Sequence, residues 1–202
     1  EQCLREIGIC FMFAPVFHPA MRHAAGPRRE IGIRTVFNIL GPLTNPAGAE
    51  YQLLGVARRE LGEKIALVLE RLGCQRALVV HGEDGADELT LTGNTHVWEV
   101  VNHQVKDYEV IPEKVGMVRR GLPEFKGGSP EENQAIMGRV LQGERTPLGD
   151  VVALNAAAAL MVGGVVSTLE AGIQKARDLM SSGEPWKKLQ ALAELSQQLG
   201  QK

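Results

Sequence analysis

Aromatic side chains make up only 4% of the 202 residues, too few for a base-stacking platform of the kind that holds single-stranded nucleic acid. Neither sign of charge is in surplus: 22 basic against 24 acidic side chains leave a formal net charge of −2. That balance gives no general attraction to nucleic acid or to an anionic membrane, so any anion site has to be a local gathering of positive charge. The cysteines are three, Cys3, Cys10 and Cys74, far apart and without metal-ligand spacing, which fits a reducing cytosol and excludes a disulfide framework. The longest apolar run, "VVALNAAAALMVGGVV", is shorter than a bilayer crossing, is rich in alanine and glycine, and carries Asn155; it reads as a buried helix. No signal peptide, Walker-type loop or dinucleotide glycine fingerprint is visible.

What is present is an ordinary globular composition, 44% hydrophobic and 23% charged, in a chain long enough to bury one core. No internal repeat or flexible linker divides it, so the sequence predicts one domain over residues 1–202. The chain opens with "EQCLREIG", which reads as the tail of a helix and suggests an N-terminal truncation. "ICFMFA", "YQLLGVA" and "RALVV" are short apolar runs suited to strands covered on both faces. "RELGEKIALVLERLG" reads as an amphipathic helix ending at Gly73, with Leu61, Ile65, Val68, Leu69 and Leu72 on one face. "THVWEVVN" and "QVKDYEVI" alternate around Asn102–His103 and read as a hairpin.

The second half turns helical. "SPEENQAIMGRVLQG" opens with Ser129 and Glu132 in capping-box spacing, and "STLEAGIQKARDLMSSG" offers Ser167 with Glu170. "GDVVALNAAAALMVGG" is the buried helix and "EPWKKLQALAELSQQLG" a terminal amphipathic one. Strands alternating with helices in the first half predict an α/β fold, a mostly parallel sheet flanked by helices.

Two segments carry chemistry. "HGEDGADE" places Glu83, Asp84, Asp87 and Glu88 in a glycine-containing loop directly after the buried strand "RALVV". In open α/β sheets ligands collect at the carboxyl ends of strands. Crowded carboxylates repel unless a cation offsets them, and hard oxygen ligands suit Mg²⁺, which sits between one or two carboxylates and a substrate's phosphates. A solvated turn with its acids facing water is the plain alternative. The spacing is not that of an EF-hand.

"GPRREIGIRTVFNILGPLTNP" sets Arg28, Arg29 and Arg34 in one apolar span, with Glu30 as the acid among them. Arg28 and Arg34 are candidate forks for a carboxylate or phosphate. Alternatively, Arg29 pairs with a surface acid and Arg34 anchors the loop. Gly41–Pro42 and Asn45–Pro46 make a stiff loop able to form one wall of a flat apolar pocket. His18, ahead of Pro19, can hydrogen-bond a ligand or simply satisfy the fold. "KGGSPEEN" resembles a phosphate nest, but Glu131 and Glu132 already place negative charge at that helix end, which disfavours an added anion.

Together, "FMFAPVFHPAMRHAAGPRREIGIRTVFNILGPLTNPAG" and "HGEDGADE" resemble the anthranilate phosphoribosyltransferases, and "KGGSPEEN" and "NAAAAL" do so too. The likeness runs through essentially the whole chain and matches the C-terminal part of that family. It implies the α/β domain of the nucleoside phosphorylase and phosphoribosyltransferase type, incomplete at the N-terminus, where the helical lobe and first strands would lie. It implies transfer of a 5-phosphoribosyl group from phosphoribosyl pyrophosphate to anthranilate, in tryptophan biosynthesis, by a cytoplasmic homodimer using Mg²⁺.

Residue by residue, Arg28 matches the arginine that contacts the anthranilate carboxylate, and His18 and Pro42 match residues lining the anthranilate path. Asp87 and Glu88 match the metal-binding pair, and no catalytic base is assigned. The family's usual lysine after "HPAM" is Arg22 here, and its usual leucine before the Asp-Glu pair is Ala86. The family's glycine-rich phosphate loop and Lys-His-Gly-Asn segment lie upstream of residue 1, so the 202 residues alone are expected to be nearly inactive. Two other readings stay open: a non-catalytic relative that binds nucleic acid, and a pyrimidine nucleoside phosphorylase.

Overall fold

The computed structural model describes residues 1–13, 17, 43, 45 and 47–200. Two compact units are distinguished, one of Glu1–Ala49 with Ala191–Lys202 and one of Glu50–Gln190.

In the first unit, helix α1 (Gln2–Ile7) ends at Gly8 in the left-handed region, φ 81°. Residues Ile9–Phe13, expected to be a strand, are not one, and Phe11 and Phe13 are exposed. An apolar run becomes a strand only if its N–H and C=O groups find a partner strand, and none pairs with it among the described residues.

The second unit is built on strands β1 (Tyr51–Gly55), β2 (Arg76–Gly82), β3 (Thr95–Val101) and β4 (Gln104–Val110), in that order across the sheet. β1 and β2 are parallel, joined by helix α2 (Arg59–Arg71), as a parallel pair requires a crossover. β2–β3 and β3–β4 are antiparallel, so the sheet is mixed, because no helix intervenes after β2. The β3–β4 turn has Asn102 and His103 at φ 51° and 56°, the two left-handed residues of the tight hairpin turn that the alternation predicted.

β2 is covered on both faces, which is why "RALVV" lacks alternation. Leu78 and Val80 join Val97, Leu89, Leu91 and the buried stripe of helix α4 (Pro147–Val162) in the main core. On the opposite face, Val79 pairs with Trp98 and Ala77 with Val100, and α2 covers them. α2 seats through Gly62, where an added Cβ would lie 2.0 Å from the Trp98 ring.

This contact corrects the expected helix face. Gly62, Ile65, Ala66 and Leu69 are buried, while Val68 and Leu72 are exposed. The apolar stripe rotates towards the small residue that lets the indole in. β4 carries exposed Gln104, Lys106, Asp107 and Glu109, charges of the kind that blunt a sheet edge.

Helix α3 (Pro130–Leu141) has the expected capping box: Ser129 Oγ accepts from Glu132 N at 3.3 Å, and Glu132 Oε2 accepts from Ser129 N at 2.7 Å. α4 begins at Pro147, two residues earlier than the sequence suggests, because Thr146 Oγ1 accepts from Gly149 N at 3.0 Å. Helix α5 (Leu169–Ser182) is capped by Thr168, whose hydroxyl accepts from Ala171 N at 3.3 Å. The expected Ser167–Glu170 box is therefore displaced by one residue, and Glu170 instead faces the positive end of the helix as a first-turn acid. Helix α6 (Glu184–Gly200) closes the described chain. At the far end of α4, Arg76 donates to the carbonyl of Met161 at 2.8 Å and to Glu99 at 2.7 and 3.0 Å, tying the helix C-terminus to β2.

Candidate functional site

The acidic loop, residues 83–94, leaves β2 at the carboxyl end of the parallel pair β1–β2. Its four acids divide into two that build the loop and two that do not. Asp84 accepts from Thr90 Oγ1 at 2.7 Å, from Ala86 N at 3.1 Å and from the Thr92 hydroxyl. Burial pushes its pKa up, but the hydrogen bonds from Thr92, Thr90 and Ala86 outweigh burial and hold the carboxyl below the usual aspartate range. Glu83 takes the backbone N–H of Asn94 at 3.0 Å, while its own N–H donates to Asn94 O at 2.8 Å. These two acids are spent on fixing the ends and the turn of the loop.

Asp87 and Glu88 have no hydrogen bond or ion pair among the described residues, and both are exposed. Although Glu88 lies at the rim, partial desolvation of its carboxyl, then the charges of Asp87 and Asp84, raise its pKa above the ordinary glutamate range. Two adjacent carboxylates of this kind, repelling each other with no cationic partner among the described residues, are a donor set that a hard divalent ion fits. Among the described residues no three His, Cys, Asp or Glu side chains converge as a metal cage. One or two carboxylates are the share of ligands a protein commonly gives Mg²⁺, the remaining positions going to water and substrate phosphates.

The backbone beneath the pair is held by contacts that motif reading missed. Gly55, the last residue of β1, lies so close that a Cβ there would sit 1.5 Å from the Asp87 carbonyl oxygen. From α4, Asn155 Oδ1 accepts from Leu89 N at 3.0 Å and Asn155 Nδ2 donates to Leu89 O at 2.8 Å. Thr95 Oγ1 accepts from Thr90 N at 3.0 Å. The signal for Asn155 was in the sequence, as the one polar side chain inside an alanine- and valine-rich run. Gly55 carried no such signal, since its role depends on a loop that comes thirty residues later.

Arg28, His18 and Pro42 lie outside the described residues. In "KGGSPEEN" the N–H groups of Gly128 and Ser129, the two a nest would aim at an anion, are already taken. Gly128 N donates to Asn133 Oδ1 at 2.9 Å and Ser129 N to Glu132 Oε2, so the segment's own side chains fill the nest. A cavity of about 260 Å³ opens elsewhere, lined by Arg120, Arg145, Arg177 and Asp150 among others. It holds none of the residues the sequence singled out, and Arg177 there is paired with Asp150 at 2.7 Å.

Comparison with known proteins places the chain in a family. The family model described as "Glycosyl transferase family, a/b domain" matches residues 1–185. The chain is 50% identical over 196 residues to the anthranilate phosphoribosyltransferase of Acetivibrio thermocellus, covering 97% of this chain and 57% of that protein. It is 51% identical over 191 residues to that of Moorella thermoacetica, covering 95% and 56%. The crystal structure of the Thermus thermophilus anthranilate phosphoribosyltransferase superposes with a TM-score of 0.88 at 49% identity, covering 95% of this chain and 56% of that one. The Saccharomyces cerevisiae enzyme in complex with PRPP and Mg has a TM-score of 0.86 at 28% identity, covering 95% and 55%. The chain thus spans little more than half the length of the relatives it matches. With an α/β unit whose acidic loop stands at the carboxyl end of its parallel strands, and a family match across nearly its whole length, this chain belongs to the glycosyl transferase family, as its a/b domain.

Proposed function

We propose that the full-length protein transfers the 5-phosphoribosyl group of phosphoribosyl pyrophosphate to the amino nitrogen of anthranilate, releasing pyrophosphate, in tryptophan biosynthesis. Residues 1–202 are its C-terminal α/β domain. The observation that carries the reading is the Asp87–Glu88 pair, exposed and without a protein partner among the described residues, in a chain half identical to enzymes of that name. A nucleic-acid-binding relative would have no use for such a pair. The identity to anthranilate phosphoribosyltransferases also favours this activity over a pyrimidine nucleoside phosphorylase.

In this reading Asp87 and Glu88 hold Mg²⁺, which supplies charge neutralisation for the departing pyrophosphate. Arg28 takes the anthranilate carboxylate with two parallel hydrogen bonds, and His18 and Pro42 line the path to it. The reacting carbon becomes cation-like as pyrophosphate leaves, so the remaining work is to hold the amine close and in line. No side chain is assigned as a general base. The protein acts in the cytoplasm, where its three dispersed cysteines stay reduced, and as a homodimer.

The test is steady-state kinetics on the full-length protein, followed by loss of anthranilate fluorescence. Arg28→Ala is expected to raise KM for anthranilate far more than KM for phosphoribosyl pyrophosphate. Asp87→Asn is expected to do the reverse and to raise the Mg²⁺ concentration needed for half-maximal rate. Equal effects of each substitution on both substrates would overturn the assignment.

A further inference from the structure

We propose that Asn155 is a positioning residue for the Asp87–Glu88 carboxylates, its side-chain amide bracketing the backbone of Leu89 and so fixing the peptide that leaves Glu88. The inference rests on the metal role of that pair given above. The hydrogen bonds that shape the acidic loop are mostly internal to it: Asp84 with Thr90, Thr92 and Ala86, and Glu83 with Asn94. Such bonds set the form of a loop without setting where it stands. Arg120 N ties the distal side of the loop through Leu91 O at 2.8 Å. Gly82 N of β2 donates to Ala86 O at 2.8 Å and Thr95 Oγ1 of β3 accepts from Thr90 N at 3.0 Å, so the sheet holds the loop on either side of the pair, and the peptide that leaves Glu88 is held from α4 by Asn155.

The geometry specifies an amide. Leu89 presents one N–H and one C=O to α4, and Asn155 meets them with Oδ1 at 3.0 Å and Nδ2 at 2.8 Å. The second Nδ2 hydrogen is used on its own helix, donating to Val151 O at 3.0 Å. This third bond fixes which end of the amide faces which backbone atom, since an oxygen could not donate to Val151 O. A carboxylate lacks the donor, and an apolar residue lacks both groups.

The support behind the amide is rigid. Ala153, Leu154, Ala157 and Ala158 on the same helix are fully buried, as is Leu89 itself. The Leu89 N–H belongs to the same peptide plane as the Glu88 C=O, so restraining it restrains the main chain from which the Glu88 side chain springs. Residues that orient ligands without touching the metal commonly govern affinity at such sites.

The experiment uses Mn²⁺ as a paramagnetic stand-in for Mg²⁺, with inorganic pyrophosphate present, and reads binding by electron paramagnetic resonance. Hydrogen exchange at the Leu89 amide is measured in parallel. Asn155→Ala is expected to weaken Mn²⁺ binding by about tenfold to a hundredfold and to remove protection at Leu89 while β2 amides keep theirs. Asn155→Asp, which retains the acceptor for Leu89 N, is expected to fall between wild type and Asn155→Ala, and serves as the test if the alanine variant does not fold. Ile173→Ala on α5 is the control for lost stability, since Ile173 is buried in the same core; it is expected to lower the melting temperature with no change in Mn²⁺ affinity. Wild-type affinity in both Asn155 variants, or equal losses in Asn155→Ala and Ile173→Ala, would overturn the proposal. Unchanged binding in an Asp87→Asn, Glu88→Gln double variant, or no Mn²⁺ binding by wild type, would instead overturn the metal role of the pair and the clamp's purpose with it.

Discussion

Replacing Gly55 by alanine adds a single methyl group at the end of β1, yet the structure assigns it a large consequence. The new Cβ would fall 1.5 Å from the Asp87 carbonyl oxygen and 2.4 Å from its carbonyl carbon. Since Cβ atoms do not approach other atoms within 3.0 Å, the carbonyl has to retreat by about 1.5 Å. β1 cannot yield instead, because Gly55 is in register with Val80 and Val56 N donates to Val80 O at 2.9 Å. The loop therefore moves, and a shift of that size breaks the bonds between Leu89 and Asn155, which are 2.8 and 3.0 Å long. Overpacking costs about 1–3 kcal/mol and each lost hydrogen bond about 1 kcal/mol. Together these come to about 3–5 kcal/mol, and for a chain of this size the melting temperature should fall by roughly 6–20 °C. Displacing a binding group by about 1 Å can cost about a hundredfold in rate, so activity of the full-length protein should fall further than stability alone explains. Differential scanning calorimetry and Mn²⁺ binding on the same preparation measure both effects. A Gly55→Ala protein with wild-type melting temperature and wild-type Mn²⁺ affinity would refute the reasoning, because it would mean the loop does not press on β1.

Gly62→Ala tests the other face of the sheet. Helix propensity alone favours alanine by about 0.8–1.0 kcal/mol, whereas the clash with the Trp98 ring, 2.0 Å from the added Cβ, costs about 1–3 kcal/mol or more; a lowered melting temperature and perturbed tryptophan fluorescence are expected, and a raised one would show that α2 does not seat on the indole. Acid titration of stability isolates Asp84. Its folded pKa is depressed, so its contribution is complete above the ordinary aspartate pKa and is lost as pH falls through the lower, folded value. Asp84→Asn should therefore destabilise at neutral pH and flatten the loss of stability as pH falls below the ordinary aspartate pKa of about 3.9, read by urea unfolding at each pH; an unchanged acid profile would count against the hydrogen-bonded role. Residues 1–202 by themselves, which span 57% of a matched relative, should give little or no loss of anthranilate fluorescence, and robust turnover would contradict the proposed division of the protein.

The order of elements and the acidic loop were legible in the amino-acid sequence because they rest on local physics. Alternation and an Asn at the turn specify the β3–β4 hairpin, Ser129 with Glu132 specifies the start of α3, and four acids after a buried apolar run locate the loop at a strand's carboxyl end. Tertiary structure decided what local pattern cannot carry. It made the sheet mixed, turned α2 towards Gly62 because an indole from β3 needed room, and left Ile9–Phe13 without a strand because no partner pairs with it among the described residues. It also sorted four equivalent-looking carboxylates into two that hold the loop and two that face outward. Which acids are spent on hydrogen bonds depends on how the loop closes on its own Thr90, Thr92 and Asn94, and that closure is held by Gly55, Thr95 and Asn155 from β1, β3 and α4, which no local pattern within the loop specifies.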